Sequence, residues 1–410
     1  ADRFGYTVCI DGDTVVAGAT YEDAGGTEAG AAYVYTRSGT TWTQQQKLVA
    51  SDAQAGDKFG IDVAISGNTI VVGAVEEDTG GSNAGAAYVF TRSGTTWTQQ
   101  QKLVASDAAV DDYFGKHVAI EGDTIAVGAY GEGGNNVGAA YIFTRSGTTW
   151  TQQAKLIASD AQGSDYFGWS VDISGNTVVV GAWGEDTEGS SAGAVYSFTR
   201  SGTTWSQQQR INPTSQYGDQ AGSGVGISGD TIVIGGDEAG ASQYANTGRA
   251  WVYVRSGTSW SFQSTLIPSD VSTTPNNATK FGKSVAIDED TIVVGAWEND
   301  TVYVFTRSGT TWTEEQKIKP GYGSGEDFGW SVAIDGDDII IGVREYDTSG
   351  FVHDGGANIY QRSGTTWSSE SFLTSSDKQN SGKFGYSVAI SGSTVIVAAP
   401  GEGDSYIWAA

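Results

Sequence analysis

Residues 165–186 read DYFGWSVDISGNTVVVGAWGED. The segment opens on an aromatic–glycine pair, carries two short β-like runs around a Ser-Gly-Asn turn, and closes on a tryptophan followed by acids. Variants of it recur along the whole chain. One question therefore governs the reading: is it a site with chemistry in it, or a structural brick?

The marker RSGTTW or RSGTSW places its Trp at 42, 97, 150, 205, 260, 312 and 367, at intervals of 52–55 residues. A Phe-Gly marker falls at Phe4, Phe59, Phe114, Phe167, Phe281, Phe328 and Phe384, and a degenerate copy, AGSGVGI at 221–227, fills the one gap. Repeats therefore start near 4, 59, 114, 167, 221, 281, 328 and 384, and the eighth unit stops after SYIWAA. A fixed period of this size marks a repeat architecture.

Each unit reads as four strands. Strand A is FGxSVAI, in which alternation is expected to put the Phe, the variable residue, Val and Ile on one face. A tight Ser-Gly-Asn or Asp-Gly-Asp turn leads to strand B, DTIVVGA. Strand C is GAAYVFTR, and strand D is TTWTQQQKL after a Ser-Gly turn. A lone four-stranded meander cannot bury both faces, so the units must stack on one another. Four-stranded antiparallel units repeated around a ring make a β-propeller. The chain is read as one all-β propeller domain over 1–410, with eight blades expected. The last blade would lack its outer strand or receive it from sequence upstream of Ala1; a seven-bladed ring with a spare partial repeat is the alternative.

Composition agrees. The chain has 59 glycines and 5 prolines, and is rich in Val, Thr, Tyr and Trp, as short strands joined by tight turns require. A net charge of -26 repels phosphate backbones and anionic lipid, which argues against nucleic-acid and membrane-surface partners. No apolar run approaches the roughly 20 residues of a membrane helix. Cys9 is the single cysteine, so no intrachain disulfide forms. The opening ADRFG resembles the later GDKFG, so the chain is expected to be a piece of something longer.

The run FGxSVAI…DTIVVGA…GAAYVF resembles the FG-GAP repeat, the blade unit of integrin alpha-chain propellers and of many microbial surface proteins. The second half of that name is best matched by Ala398-Ala399-Pro400. The resemblance implies extracellular or cell-surface recognition: adhesion, matrix binding or glycan binding. In that family the A–B connection often carries an Asp-rich calcium loop. Here it is a short turn, as at Asp11-Gly12-Asp13 or Ser66-Gly67-Asn68. Calcium takes six to eight oxygens, so no metal or other cofactor is expected, and the Asp and Asn residues are read as turn formers.

Strand direction sorts the connections into two faces. The A–B and C–D turns share one face, which receives the recurring arginines Arg37, Arg92, Arg145, Arg200, Arg255, Arg307 and Arg362. The B–C and D–A loops share the other, crowded with acids that include Glu22, Asp23, Glu77, Asp78, Glu185 and Asp186. The ring should thus be electrically polar along its axis. One reading has both faces simply solvated, with the arginines clamping the turns. Another makes the acidic face a recognition surface, and a third stacks acidic face on arginine face in a filament.

The B–C loops also begin on variable, often aromatic residues: Tyr130, Trp183 and Trp297, with Tyr21 one position further on. Exposed rings beside carboxylates suit sugar faces; packing between blades is the competing reading. Uniform positions, the Phe of each strand A and the Trp of each strand D, read as core. His117 and His353 lie in different blades and outside any catalytic motif, and neither metal-ligand spacing nor a nucleophile elbow nor a phosphate loop is present. The segment 165–186 is therefore mainly a brick, with any chemistry confined to Trp183–Asp186.

The expectation is a non-enzymatic, extracellular recognition or adhesion module of a larger surface protein, binding a protein or glycan through Tyr21, Glu22, Asp23, Glu77, Asp78, Tyr130, Trp183, Glu185, Asp186 and Trp297. The alternatives are a stacking unit that contacts neighbouring subunits of a filament or coat, and a lectin using the aromatic loops. Asn277 and Asn299 sit in N-glycosylation sequons.

Overall fold

The computed structural model describes residues 2–409 apart from 215, 240–246, 271–278, 322, 324, 349, 377 and 402–403. The first blade shows the plan. Its strands Phe4–Asp11, Thr14–Ala19, Ala31–Ser38 and Thr41–Leu48 pair in sequence order, each antiparallel to the next. Seven sheets of this kind follow one another along the chain. The repeat that starts at Phe384 contributes a sheet of three strands, Val388–Ser391, Thr394–Ala399 and Asp404–Ala409. Complete four-stranded blades among the described residues therefore number seven, as in the alternative reading. The three-stranded sheet packs between the seventh blade and the first, and the inner strands touch in succession around a closed ring.

The hydrophobic core lies between blades. Val16, Ala32, Val34 and Leu48 of the first blade pack against Phe59, Val63, Ile70, Val72, Tyr88 and Trp97 of the second. Strand B is buried along its whole length in the first blade, Thr14–Ala19, because it has a neighbour on both faces. This explains why Val-Val-Gly-Ala runs there are continuous instead of alternating.

The Phe-Gly marker has a geometric cause. Phe59 is fully buried, edge-on to Tyr88 and Phe90. Gly60 has φ +88°, and a Cβ on it would lie 2.3 Å from the carbonyl oxygen of Ala31 in the preceding blade. Only glycine accepts both conditions. The pairing of strands A and B also slips here, between Phe59 and Val63. The expected single face for Phe, the variable residue, Val and Ile is therefore corrected. The bulge takes the variable residue off the core face, and Ile61 and Lys116 are only half-buried; Trp169, just ahead of its strand, is half-buried as well.

The turn-face arginines are staples. Arg92 donates from Nη1 to Thr14 Oγ1 of the preceding blade at 2.8 Å and from Nε to Asn68 Oδ1 of its own A–B turn at 2.9 Å, while its guanidinium lies 5.2 Å from the Trp97 ring. The arrangement repeats at Arg145, Arg200, Arg255, Arg307 and Arg362. Five arginines are matched on that face by Asp13, Asp123, Asp230, Asp290 and Asp337. The positive charge expected on that face is thus paired locally, because turn acids sit beside five of the arginines.

Candidate functional site

The B–C and D–A loops meet on one face, as strand direction requires. Many of their carboxylates are occupied. Glu77 is buried; its Oε1 accepts from Lys102 Nζ at 2.7 Å and its Oε2 from the Thr79 amide at 3.0 Å. Lys102 also donates to Asp52 at 2.7 Å, and Asp52 accepts the Tyr88 hydroxyl at 2.9 Å. The same network joins Glu132, Lys155, Asp107 and Tyr141, and again Glu185, Arg210, Asp160 and Tyr196. Glu22 pairs with Lys47 at 2.6 Å and caps the Ala24 amide.

Of the acids expected to bind, Glu22, Glu77 and Glu185 are therefore committed to holding their own loops. Asp23 and Asp78 are exposed, although each accepts a backbone amide five residues on, from Glu28 and Asn83. Asp186 is exposed.

The aromatic residues do converge. In the third and fourth blades Tyr113 stacks on Tyr130 at 5.0 Å with planes 1° apart, and Tyr166 stacks on Trp183 at 4.5 Å and 12°. Trp169 stands edge-on to Tyr130 at 5.3 Å and to Trp183 at 5.9 Å, which closes the five rings into one cluster. All five are half-buried, so each packs on its neighbours and still presents surface. Burial pushes the Tyr130 hydroxyl up to about 12. The indole nitrogen of Trp183 is enclosed without a hydrogen-bond partner.

A second arc lies across the ring. Trp297 is edge-on to Trp330 at 5.4 Å, and Tyr386 lies 5.9 Å from Trp330 and 5.7 Å from Tyr6. The Arg344 guanidinium covers Trp330 and is paired with Asp327 at 2.7 Å. Tyr21 stands apart from the first cluster, with Arg3 at 4.2 Å and Lys58 at 3.9 Å from its ring.

Sequence reasoning named Tyr130, Trp183 and Trp297 but missed Tyr113, Tyr166, Trp169 and Trp330. Their signal was the aromatic residue flanking Phe-Gly, as in YFG at 113–115 and YFGW at 166–169; the expected register put Trp169 and Trp330 on the core face, and Tyr113 and Tyr166 closed the D–A loops. Asn277 lies outside the described residues. Asn299 is half-buried with its amide oxygen enclosed. Burial pushes the Cys9 thiol well up, away from thiolate character. Among the described residues no group of three or more His, Cys, Asp and Glu side chains is placed to hold a metal ion.

The FG-GAP repeat model matches residues 1–35, 42–90, 97–143, 150–198, 260–309, 312–360 and 367–407. The chain belongs to the FG-GAP repeat family. The stretch between matches, 199–259, holds the degenerate copy in which Ala221 replaces the marker Phe. A search of curated proteins returns no match. Among solved structures, Sqt1 of Saccharomyces cerevisiae is similar with a TM-score of 0.60 at 12% identity, covering 97% of this chain and 93% of that one. Sqt1 of Chaetomium thermophilum, bound to the N-terminus of the ribosomal protein L10, gives 0.61 at 12% identity over 97% and 94%. At such identities the likeness concerns the fold of this FG-GAP propeller.

Proposed function

We propose that this FG-GAP propeller is a non-enzymatic recognition module of an extracellular or cell-surface protein, and that it binds its ligand on the loop face. The supporting observation is the five-ring cluster of Tyr113, Tyr130, Tyr166, Trp169 and Trp183 on that face. Rigid, half-buried aromatic rings give contact area at low entropic cost, on protein or on sugar. The exposed carboxylates of Asp78 and Asp186 lie on the same face and would accept hydroxyl or ammonium donors. A protein ligand also accords with the Chaetomium Sqt1 propeller, which is bound to a ribosomal-protein N-terminus.

The stacking role is weaker, because the turn face has its arginines matched by its own acids. In this reading the three-stranded sheet acts as an eighth blade that lacks its outer strand.

A glycan array and a panel of extracellular-matrix proteins, screened with calcium and again with chelator, test the proposal. Selective binding that is lost on Trp183→Ala supports it. Retention of all binding in Trp183→Ala and Tyr130→Ala removes the cluster from the site, and loss of binding in chelator assigns a metal to the interaction.

A further inference from the structure

We infer that the loop face carries a second, cationic pocket, across the ring from the five-ring cluster, which takes a carboxylate-bearing saccharide. It lies at the seam where the three-stranded sheet meets the first blade. Its volume is about 610 Å³, and its walls include Arg3, Tyr6, Tyr21, Arg344, Lys383 and Tyr386. Glu28 lines it too but is paired with Lys58, and Arg344 is held by Asp327 at 2.7 Å, which leaves Arg3 as the cation of interest in a chain of net charge -26.

The repeat explains why Arg3 differs from its counterparts. The residue before Phe-Gly is cationic in several blades and pairs with an acid from the preceding B–C loop. Lys280 pairs with Glu238, and Lys383 reaches Glu345 at 3.7 Å. Arg3 holds the same position in the first blade. The residue two beyond strand B, which is Glu238 and Glu345 in those loops, is Gly401 here, and Gly401 lines the pocket. Arg3 is exposed and forms no ion pair among the described residues; its guanidinium rests on the Tyr21 ring. The Arg3 backbone is held, because the Arg3 carbonyl accepts the Tyr6 amide at 3.1 Å and the Asp2 carbonyl accepts the Tyr21 amide at 3.0 Å. A planar donor fork is thus presented on a fixed stalk.

The chemistry of the ligand follows. A guanidinium with no ion pair among the described residues selects a planar anion it can grip with two parallel hydrogen bonds. Tyr6 and Tyr386, 5.7 Å apart, add ring faces and hydroxyls, which suit a sugar ring better than a bare anion. Burial pushes the Tyr386 hydroxyl up to about 12, so it stays protonated and able to donate. Lys383, in a long ion pair with Glu345 at 3.7 Å, stands at the pocket wall as a second donor for a neighbouring uronate. The volume falls within the range of small-ligand pockets, roughly 300–1,000 Å³.

Isothermal titration of the full chain with a galacturonic acid trisaccharide, its neutral galactose counterpart, acetate and inorganic phosphate tests the inference. The acidic trisaccharide should bind, and more weakly as salt is raised. Arg3→Ala should raise its Kd about tenfold or more, the loss expected for a charge-assisted pair. Trp183→Ala should leave it unchanged, which separates this pocket from the aromatic cluster. Equal binding of the neutral sugar, no binding of the acidic one, or an unaltered Kd in Arg3→Ala would overturn the assignment. Acetate or phosphate binding as tightly as the trisaccharide would overturn the saccharide and leave a plain anion site.

Discussion

The indole of Trp97 donates to Gln45 Oε1 of the preceding blade at 2.8 Å, whereas the buried indole nitrogen of Trp42 has no hydrogen-bond partner. The first bond recurs at Trp150, Trp205, Trp260, Trp312 and Trp367, each reaching back to the outer strand of the blade before. Trp42 differs because the sheet before it has no outer strand among the described residues. Trp97→Phe should therefore lower stability by about 1–3 kcal/mol, combining a lost hydrogen bond with lost packing. Trp42→Phe should cost clearly less. Urea denaturation of the two variants checks the difference, and equal losses would mean that the indole bond contributes little.

Gly60 and Gly12 both have positive φ, +88° and +55°, but only Gly60 faces backbone at short range. Gly12→Ala should cost about 1–2 kcal/mol, the left-handed penalty alone. Gly60→Ala adds a clash with Ala31 that neither backbone can relieve, and should cost more than twice as much or prevent folding. Soluble yield and thermal midpoints give the comparison.

Among the described residues Lys102 is the one cation paired with the buried Glu77, and it also holds Asp52. Removing it strands a buried carboxylate, so Lys102→Ala should lose about 3 kcal/mol. Adding Glu77→Gln removes the stranded charge and should recover part of that. A double variant no more stable than Lys102→Ala would show that charge pairing is not the cause.

Stability should pass through a maximum on the acid side of neutrality. Burial raises Asp57, Asp165 and Asp172 to about 6. A carboxyl whose folded value lies above its unfolded one binds protons more tightly when folded, so stability grows as pH falls from above 6 toward 4. For Asp52, Asp107 and Asp270 burial pushes upward, but hydrogen bonds from Lys and Tyr outweigh it and hold them below the ordinary value. Their contribution is lost as pH falls below about 4. Thermal midpoints from pH 3 to 8 should rise and then fall on acidification, and Asp172→Asn should flatten the rise. A monotonic decline from pH 8 downward would contradict the assignment.

The period, the four strands of each unit, the tight turns and the two faces were legible in the sequence, because each depends on residues close together in the chain. Strand alternation, a Gly at φ above zero and a Ser-Gly turn act within a few residues. What the loop residues do was not legible. Glu77 and Asp78 are adjacent, yet one is enclosed by a lysine 25 residues away and the other is exposed. Trp97 meets Gln45 across 52 residues, and Arg92 meets Thr14 across 78. Tyr113, Tyr166 and Trp169 join Tyr130 and Trp183 because Tyr113 and Tyr166 take positive φ, 56° and 55°, just before the Phe-Gly marker, and Trp169 lies half-buried just ahead of its strand. A repeated sequence determines its own unit. Which carboxylates are held, which rings cluster and what surrounds Arg3 are decided between units, by the packing of the ring and the seam that closes it.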